Sequence, residues 1–118
     1  LEFYYIKDEA FIKKFKAHSA AKTVHHGFSG GLLEHTLSVT RSVIILQQAI
    51  YFNRDLLLSS AILHDIGKVK ELSDFPDNDY TDEGQLLGHI VIGVEMIGDA
   101  VRNIPASRRN LRIIKTLY

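Results

Sequence analysis

Apolar positions along this 118-residue chain fall three and four residues apart, and no segment alternates residue by residue, so the pattern predicts helices and no sheet. The first helix starts with Asp8 as N-cap and sets Phe11, Ile12 and Phe15 on one face against lysines on the other. A second opens after Gly30-Gly31 and runs to about Ile50, with Leu32, Val39, Val43, Leu46 and Ile50 on one stripe. A third runs from about Arg54 to His64 through Leu57 and Ala61, and Gly67 then breaks it. A fourth opens at Thr81-Asp82, where Gln85 gives a capping-box-like signal, and turns Leu86, Ile90, Gly93 and Met96 toward the core. A fifth, Arg108 to Tyr118, follows Ser107 as N-cap and carries Leu111, Ile114 and Leu117. Between the third and fourth, Glu71 to Tyr80 is rich in turn formers and reads as an exposed loop or a short hairpin. The expected fold is all-α, one domain over residues 1–118.

Three histidines fall on these apolar stripes: His35 on the second helix, His64 on the third and His89 on the fourth. An inward imidazole is a poor space-filler and must find partners. A shared metal ion satisfies all three, and Asp65 adds a carboxylate directly beside His64. Such an ion lowers the pKa of bound water from 15.7 toward about 7, and a second ion about 3.5–4 Å away clamps a phosphate during in-line attack. This chemistry points to phosphoester hydrolysis. Lys68 has two readings: a solvated cation that complements a helix C-terminus, or a side chain that holds a substrate phosphate. His25-His26, ahead of the Gly-rich run to Gly31, also has two: surface histidines in a turn, or phosphate contacts aided by the amides that open the second helix.

Composition removes several other classes. Hydrophobic residues make up 46% of the chain, enough for one core, and 14 basic residues balance 14 acidic ones. Global charge therefore argues for no polyanion or membrane partner. Cysteine is absent, which excludes disulfides and thiolate ligands, leaves His, Asp and Glu for any metal, and fits a reducing cytoplasm. No apolar run reaches the roughly 18 residues that span a bilayer, so a soluble chain is expected. Asp74, Asp77, Asp79, Asp82 and Glu83 lack calcium-loop spacing and are expected to be solvated. Position 1 is not Met and the last helix has no stop signal, so a piece of a longer chain is expected.

His35, His64-Asp65 within Leu63-His64-Asp65-Ile66-Gly67-Lys68, and His89 resemble the HD-domain phosphohydrolase superfamily. More narrowly, the stretches His25 to Val39 and Tyr80 to Ile90 resemble the HD domain of YhaM-type 3'-to-5' exoribonucleases. The resemblance implies an HD-domain bundle of five or six helices and a catalytic role for Asp65 and Lys68. His35, His64 and Asp65 would hold one metal, with Asp65 bridging to a second on His89, and His25, His26 and Lys68 would contact substrate. It further implies one or two divalent ions, Mn first, with Fe, Co, Ni or Zn as alternatives, single-stranded RNA or DNA as substrate, and an upstream OB-type domain. The family continues into a His-His-Gly segment and a final Asp ligand, both beyond Tyr118. Such a fragment is expected to bind metal weakly, to be inactive on its own, or to associate into homo-oligomers through apolar surface at its end. The other readings are an HD hydrolase of cyclic dinucleotides or nucleoside phosphates, a non-catalytic nucleotide-binding module, and a bundle whose histidines bind nothing.

Overall fold

The structure is a computed structural model that describes residues 2–23, 27–51, 53–74 and 76–103. Among these residues it is helical, with α1 (Glu2–Lys7), α2 (Glu9–Ala17), α3 (Gly31–Leu46), α4 (Arg54–Leu63), α5 (Lys68–Glu71) and α6 (Asp82–Arg102). The predicted helix over Arg108 to Tyr118 and the pair His25-His26 lie outside the described residues.

Three helix starts follow capping chemistry. Asp8 accepts from the Phe11 amide, Asn53 from the Leu56 amide, and Thr81 Oγ1 from the Gly84 amide. α3 opens differently, after Gly30 at φ 85°, a left-handed turn that glycine tolerates. α3 packs on α4 and α2, α5 on α6, and α1 on α2 and α4. The core between them gathers Phe15, Leu32, Leu63, Ile66, Val69, Ile92 and Ile97. Tyr5 belongs to it as well: its hydroxyl donates to the Met96 carbonyl at 2.9 Å and its ring lies 4.8 Å from that of Phe11, pinning α1 to α2 and α6.

Several expectations need correction. α1 was not anticipated, because six residues ahead of the Asp8 cap are too few to show a period. α3 ends at Leu46, and Leu46 and Ile50 are exposed, because the helix runs past the core that its first two turns contact. Gly67 does not break a helix by turning left-handed; at φ −62° it continues the turn from His64 into α5. Its role is close approach, since a Cβ there would stand 1.9 Å from the His89 carbonyl oxygen. The segment 71–80 carries one antiparallel bridge, Leu72 with Tyr80, and is only partly exposed: Leu72 and Asn78 are buried. Asn78 Nδ2 donates to the carbonyls of Ala21 and Lys22, each at 3.0 Å, and its Oδ1 accepts from Ser19. The irregular segment 18–23 is thereby strapped beneath α5. Leu86 and Ile90 point outward rather than into the core: Gly88 leaves helical geometry (φ 75°, ψ 161°) and takes Leu86 out of register with the buried stripe, while Ile90 lies in the first turn after the break, at the exposed edge of that stripe. After that break the buried stripe is Ile92, Gly93, Met96, Ile97 and Ala100.

α6 is also long and apolar enough by composition to cross a membrane, with a mean hydropathy of 1.2 over its best window, contrary to the expectation of no such run. It is nonetheless packed against α5, and 44% of that window is buried inside the fold.

Two glycines hold α5 against α6, and their replacement tests the packing. A Cβ at Gly84 would stand 2.2 Å from the Glu71 carbonyl oxygen, whereas one at Gly98 meets only the end of the Arg102 side chain at 3.5 Å. Gly67→Ala and Gly84→Ala should each lower stability by roughly 1–3 kcal/mol through overpacking. Gly98→Ala, inside a helix with room for a methyl, should raise it by about 0.5–1 kcal/mol. Thermal unfolding of the three variants separates close approach from mere preference for glycine.

Candidate metal centre

The centre forms where α3, the α4–α5 turn and the second half of α6 meet. His35 lies one turn into α3, directly after the segment anchored by buried Leu32, so its ring faces α4. His64 caps the C-terminus of α4, and its Nδ1 donates to the Ala61 carbonyl at 2.7 Å, which leaves Nε2 facing the centre. Asp65 follows at once, 5% exposed. His89 is the first residue after the Gly88 break.

Asp65 is the hub. Its Oδ2 lies 3.2 Å from His35 Nε2, 3.3 Å from His64 Nε2 and 3.2 Å from Lys68 Nζ, while Oδ1 lies 3.4 Å from His89 Nε2. His35 Nε2 and His64 Nε2 are 3.4 Å apart. Burial pushes the Asp65 carboxyl toward the neutral form, but hydrogen bonds and charge from His64 and Lys68 outweigh it and hold the group well below the usual carboxylate range. The same hydrogen bond from Asp65 raises His64 above its ordinary 6.5, against the opposing effect of burial.

The donor set fits a divalent cation. His35, His64 and Asp65 are one imidazole pair and one carboxylate with ligand atoms gathered within 4.8 Å. A triangle with edges of 3.2, 3.3 and 3.4 Å has its centre about 1.9 Å from each corner, so these three atoms could hold an ion at close to the usual ligand distance of about 2.0–2.2 Å. Two imidazoles and a carboxylate suit Mn, Fe, Co, Ni or Zn and not a soft thiolate-preferring metal.

Lys68 is not a solvated cation. Its side chain is 17% exposed, its Nζ donates to the Ala20 carbonyl at 2.7 Å, and it closes one side of the Asp65 carboxylate. It also borders a cleft of about 240 Å³ that His89, Lys22, Thr23 and Tyr80 help to line. His25 and His26 lie outside the described residues.

The sequence pattern places Glu71 at the start of a loop and gives it no role at the centre, but the structure does. Glu71 ends α5, with its Oε1 3.1 Å from the His89 amide and 3.3 Å from His89 Nδ1. No sequence period marks it, because the contact exists only through the break at Gly88.

Comparison with known proteins agrees in family. The HD domain family model matches residues 32–114. The chain is 41% identical over 114 residues to "3'-5' exoribonuclease YhaM" of Oceanobacillus iheyensis, covering 92% of this chain and 36% of that protein. It is 42% identical over 106 residues to the protein of the same name from Halalkalibacterium halodurans, covering 87% and 32%. It is 37% identical over 107 residues to that of Bacillus subtilis, covering 88% and 33%. The chain thus spans about a third of the length of these curated relatives. No solved structure matches it significantly.

The elevated pKa of His64 predicts how metal binding depends on pH. In the metal-free chain the extra affinity of His64 for a proton is present below its ordinary 6.5 and persists to a higher pH than for a free imidazole. A cation must displace that proton, so apparent affinity should rise as pH increases from 6.5 through the folded pKa and then level off. Titration calorimetry in buffers of different ionisation heat should show proton release that fades at the alkaline end of this window.

Proposed function

Because this chain belongs to the HD-domain family, we propose that it is a metal-dependent phosphohydrolase domain, and specifically one that removes nucleotides from the 3' end of single-stranded RNA or DNA. The observation that carries this reading is how Asp65 is shared: one carboxylate oxygen faces His35 and His64, and the other faces His89. With that division His35, His64 and Asp65 would hold one divalent ion, and His89 with the other oxygen of Asp65 would help to hold a second. Exoribonuclease, as the substrate-level description, rests on the names of the relatives.

A bound divalent ion supplies positive charge beside the phosphate and lowers the pKa of water from 15.7 toward about 7. The chain's own residues do the rest. His64, its Nδ1 committed to the Ala61 carbonyl, presents a fixed Nε2. Lys68 keeps the Asp65 carboxylate ionised and offers its ammonium to a phosphate oxygen from the wall of the adjoining cleft. Tyr80, 46% exposed at the cleft with Lys22 Nζ 5.8 Å from its ring centre, gives a base a face to stack on and a phosphate a cation. His25 and His26 belong to this proposal as further phosphate contacts, placed by resemblance alone. The absence of cysteine fits a cytoplasmic enzyme.

Elemental analysis of the purified chain and of Asp65→Ala tests the centre. The parent should carry divalent metal, Mn foremost, and the variant should lose it, since Asp65 contacts every proposed ligand. Equal metal content in both would defeat the assignment. Any release of mononucleotides from end-labelled single strands by the metal-loaded protein should be lost in Asp65→Ala. Hydrolysis of cyclic dinucleotides or nucleoside phosphates with oligonucleotides untouched would replace the substrate reading while keeping the hydrolase.

A further inference from the structure

The break in α6 creates a problem that Glu71 solves. Gly88, at φ 75° and ψ 161°, interrupts the helix, so His89 starts a new helical run and its amide has no carbonyl a turn earlier to donate to. Glu71 Oε1, from the end of α5, accepts that amide at 3.1 Å. A carboxylate at this place acts as an N-cap supplied from another helix and lies at the positive end of the helix dipole. The same oxygen is 3.3 Å from His89 Nδ1, while Nε2 of that ring lies 3.4 Å from Asp65 Oδ1. One carboxylate oxygen therefore grips both the backbone and the ring of a single residue.

Glu71 is itself held independently of its side chain. Its carbonyl accepts from the Thr81 amide at 3.0 Å and from Thr81 Oγ1 at 3.2 Å, and Gly84 packs against it too closely for any Cβ. The side chain, 13% exposed, thus reaches His89 from a fixed base.

We infer that Glu71 is a positioning residue that sets the tautomer and orientation of His89, placing the proton on Nδ1 so that the Nε2 lone pair faces Asp65 and the cation beyond it. The value of a fixed Nε2 rests on the hydrolase reading above; the tautomer is a competition between Glu71 Oε1, 3.3 Å from Nδ1, and Asp65 Oδ1, 3.4 Å from Nε2, which Glu71 wins because the His89 amide already holds its oxygen in place. A carboxylate on the far nitrogen of a ligating histidine also strengthens it as a donor, and loss of such a partner typically costs 10–100-fold in metal affinity.

The test uses the metal-free chain at alkaline pH, where long-range proton–nitrogen correlation spectra distinguish the two neutral tautomers of His89. The parent should show Nδ1–H. Glu71→Ala should shift the population toward Nε2–H, and Glu71→Gln, which keeps an oxygen acceptor, should largely retain Nδ1–H. If Glu71→Ala fails to fold, the parent and Glu71→Gln spectra still decide. Nε2–H in the parent, or an Nδ1–H tautomer unchanged in Glu71→Ala, overturns the inference. With metal, calorimetry should show the ion assigned to His89 weakened about 10–100-fold in Glu71→Ala, with the ion on His35 and His64 unaffected. A uniform loss at both sites would mark Glu71 as merely structural. Failure of the parent to bind any metal would count against the proposed function while leaving the tautomer result to judge Glu71.

Discussion

An ionised carboxylate with 5% of its surface exposed constrains everything around it. Removing such a group from water costs several kcal/mol unless opposite charge and hydrogen-bond donors replace the solvent. Asp65 has neither its own helix nor a loop to supply them; they come from α3, α4, α5 and α6 at once. Lys68, three residues on, is drawn out of solvent and anchored at its far side by the Ala20 carbonyl, which makes the strap at 18–23 part of the same arrangement. The strap in turn is held by Asn78, so the packing of a surface segment bears on the charge state of a buried carboxylate.

Much of this was legible in the sequence for a definite reason. His35 and His64 each share a helical face with apolar neighbours, and a 3.6-residue period turns such residues toward a common interior, whereas His89 reaches the centre by way of the Gly88 break, since Leu86 and Ile90 on its stripe face outward. Adjacency to His64 then selects Asp65. What could not be read was anything that depended on a departure from that period. Leu86 follows the helical spacing of α6 and still faces outward, because one residue, Gly88, rotates the register between it and the core. Glu71 was invisible for the same reason, since its partner amide is free only where the helix breaks.

Gly67 shows a different limit. A glycine after a helix reads naturally as a stop, yet here the backbone stays right-handed and the missing side chain is what matters. Sequence marks the residue but not which neighbour needs the space; that neighbour, the His89 carbonyl, is 22 residues away in the chain. Together Gly67 and Gly84 bring the two halves of the centre to within reach of a single carboxylate.

The separation of the ligating groups along the chain has a consequence for folding. His35 and His64 are 29 positions apart, and His89 lies a further 25 along the chain. No local segment holds two of the three imidazoles, so a partly folded chain would offer an ion at most the adjacent pair His64 and Asp65. The centre is completed by the last docking event that joins α3, α4 and α6, and a cation bound there would favour that docked state by mass action. In that sense a bound ion would act as an inspector of assembly, favouring only the arrangement in which every helix that faces Asp65 is in place.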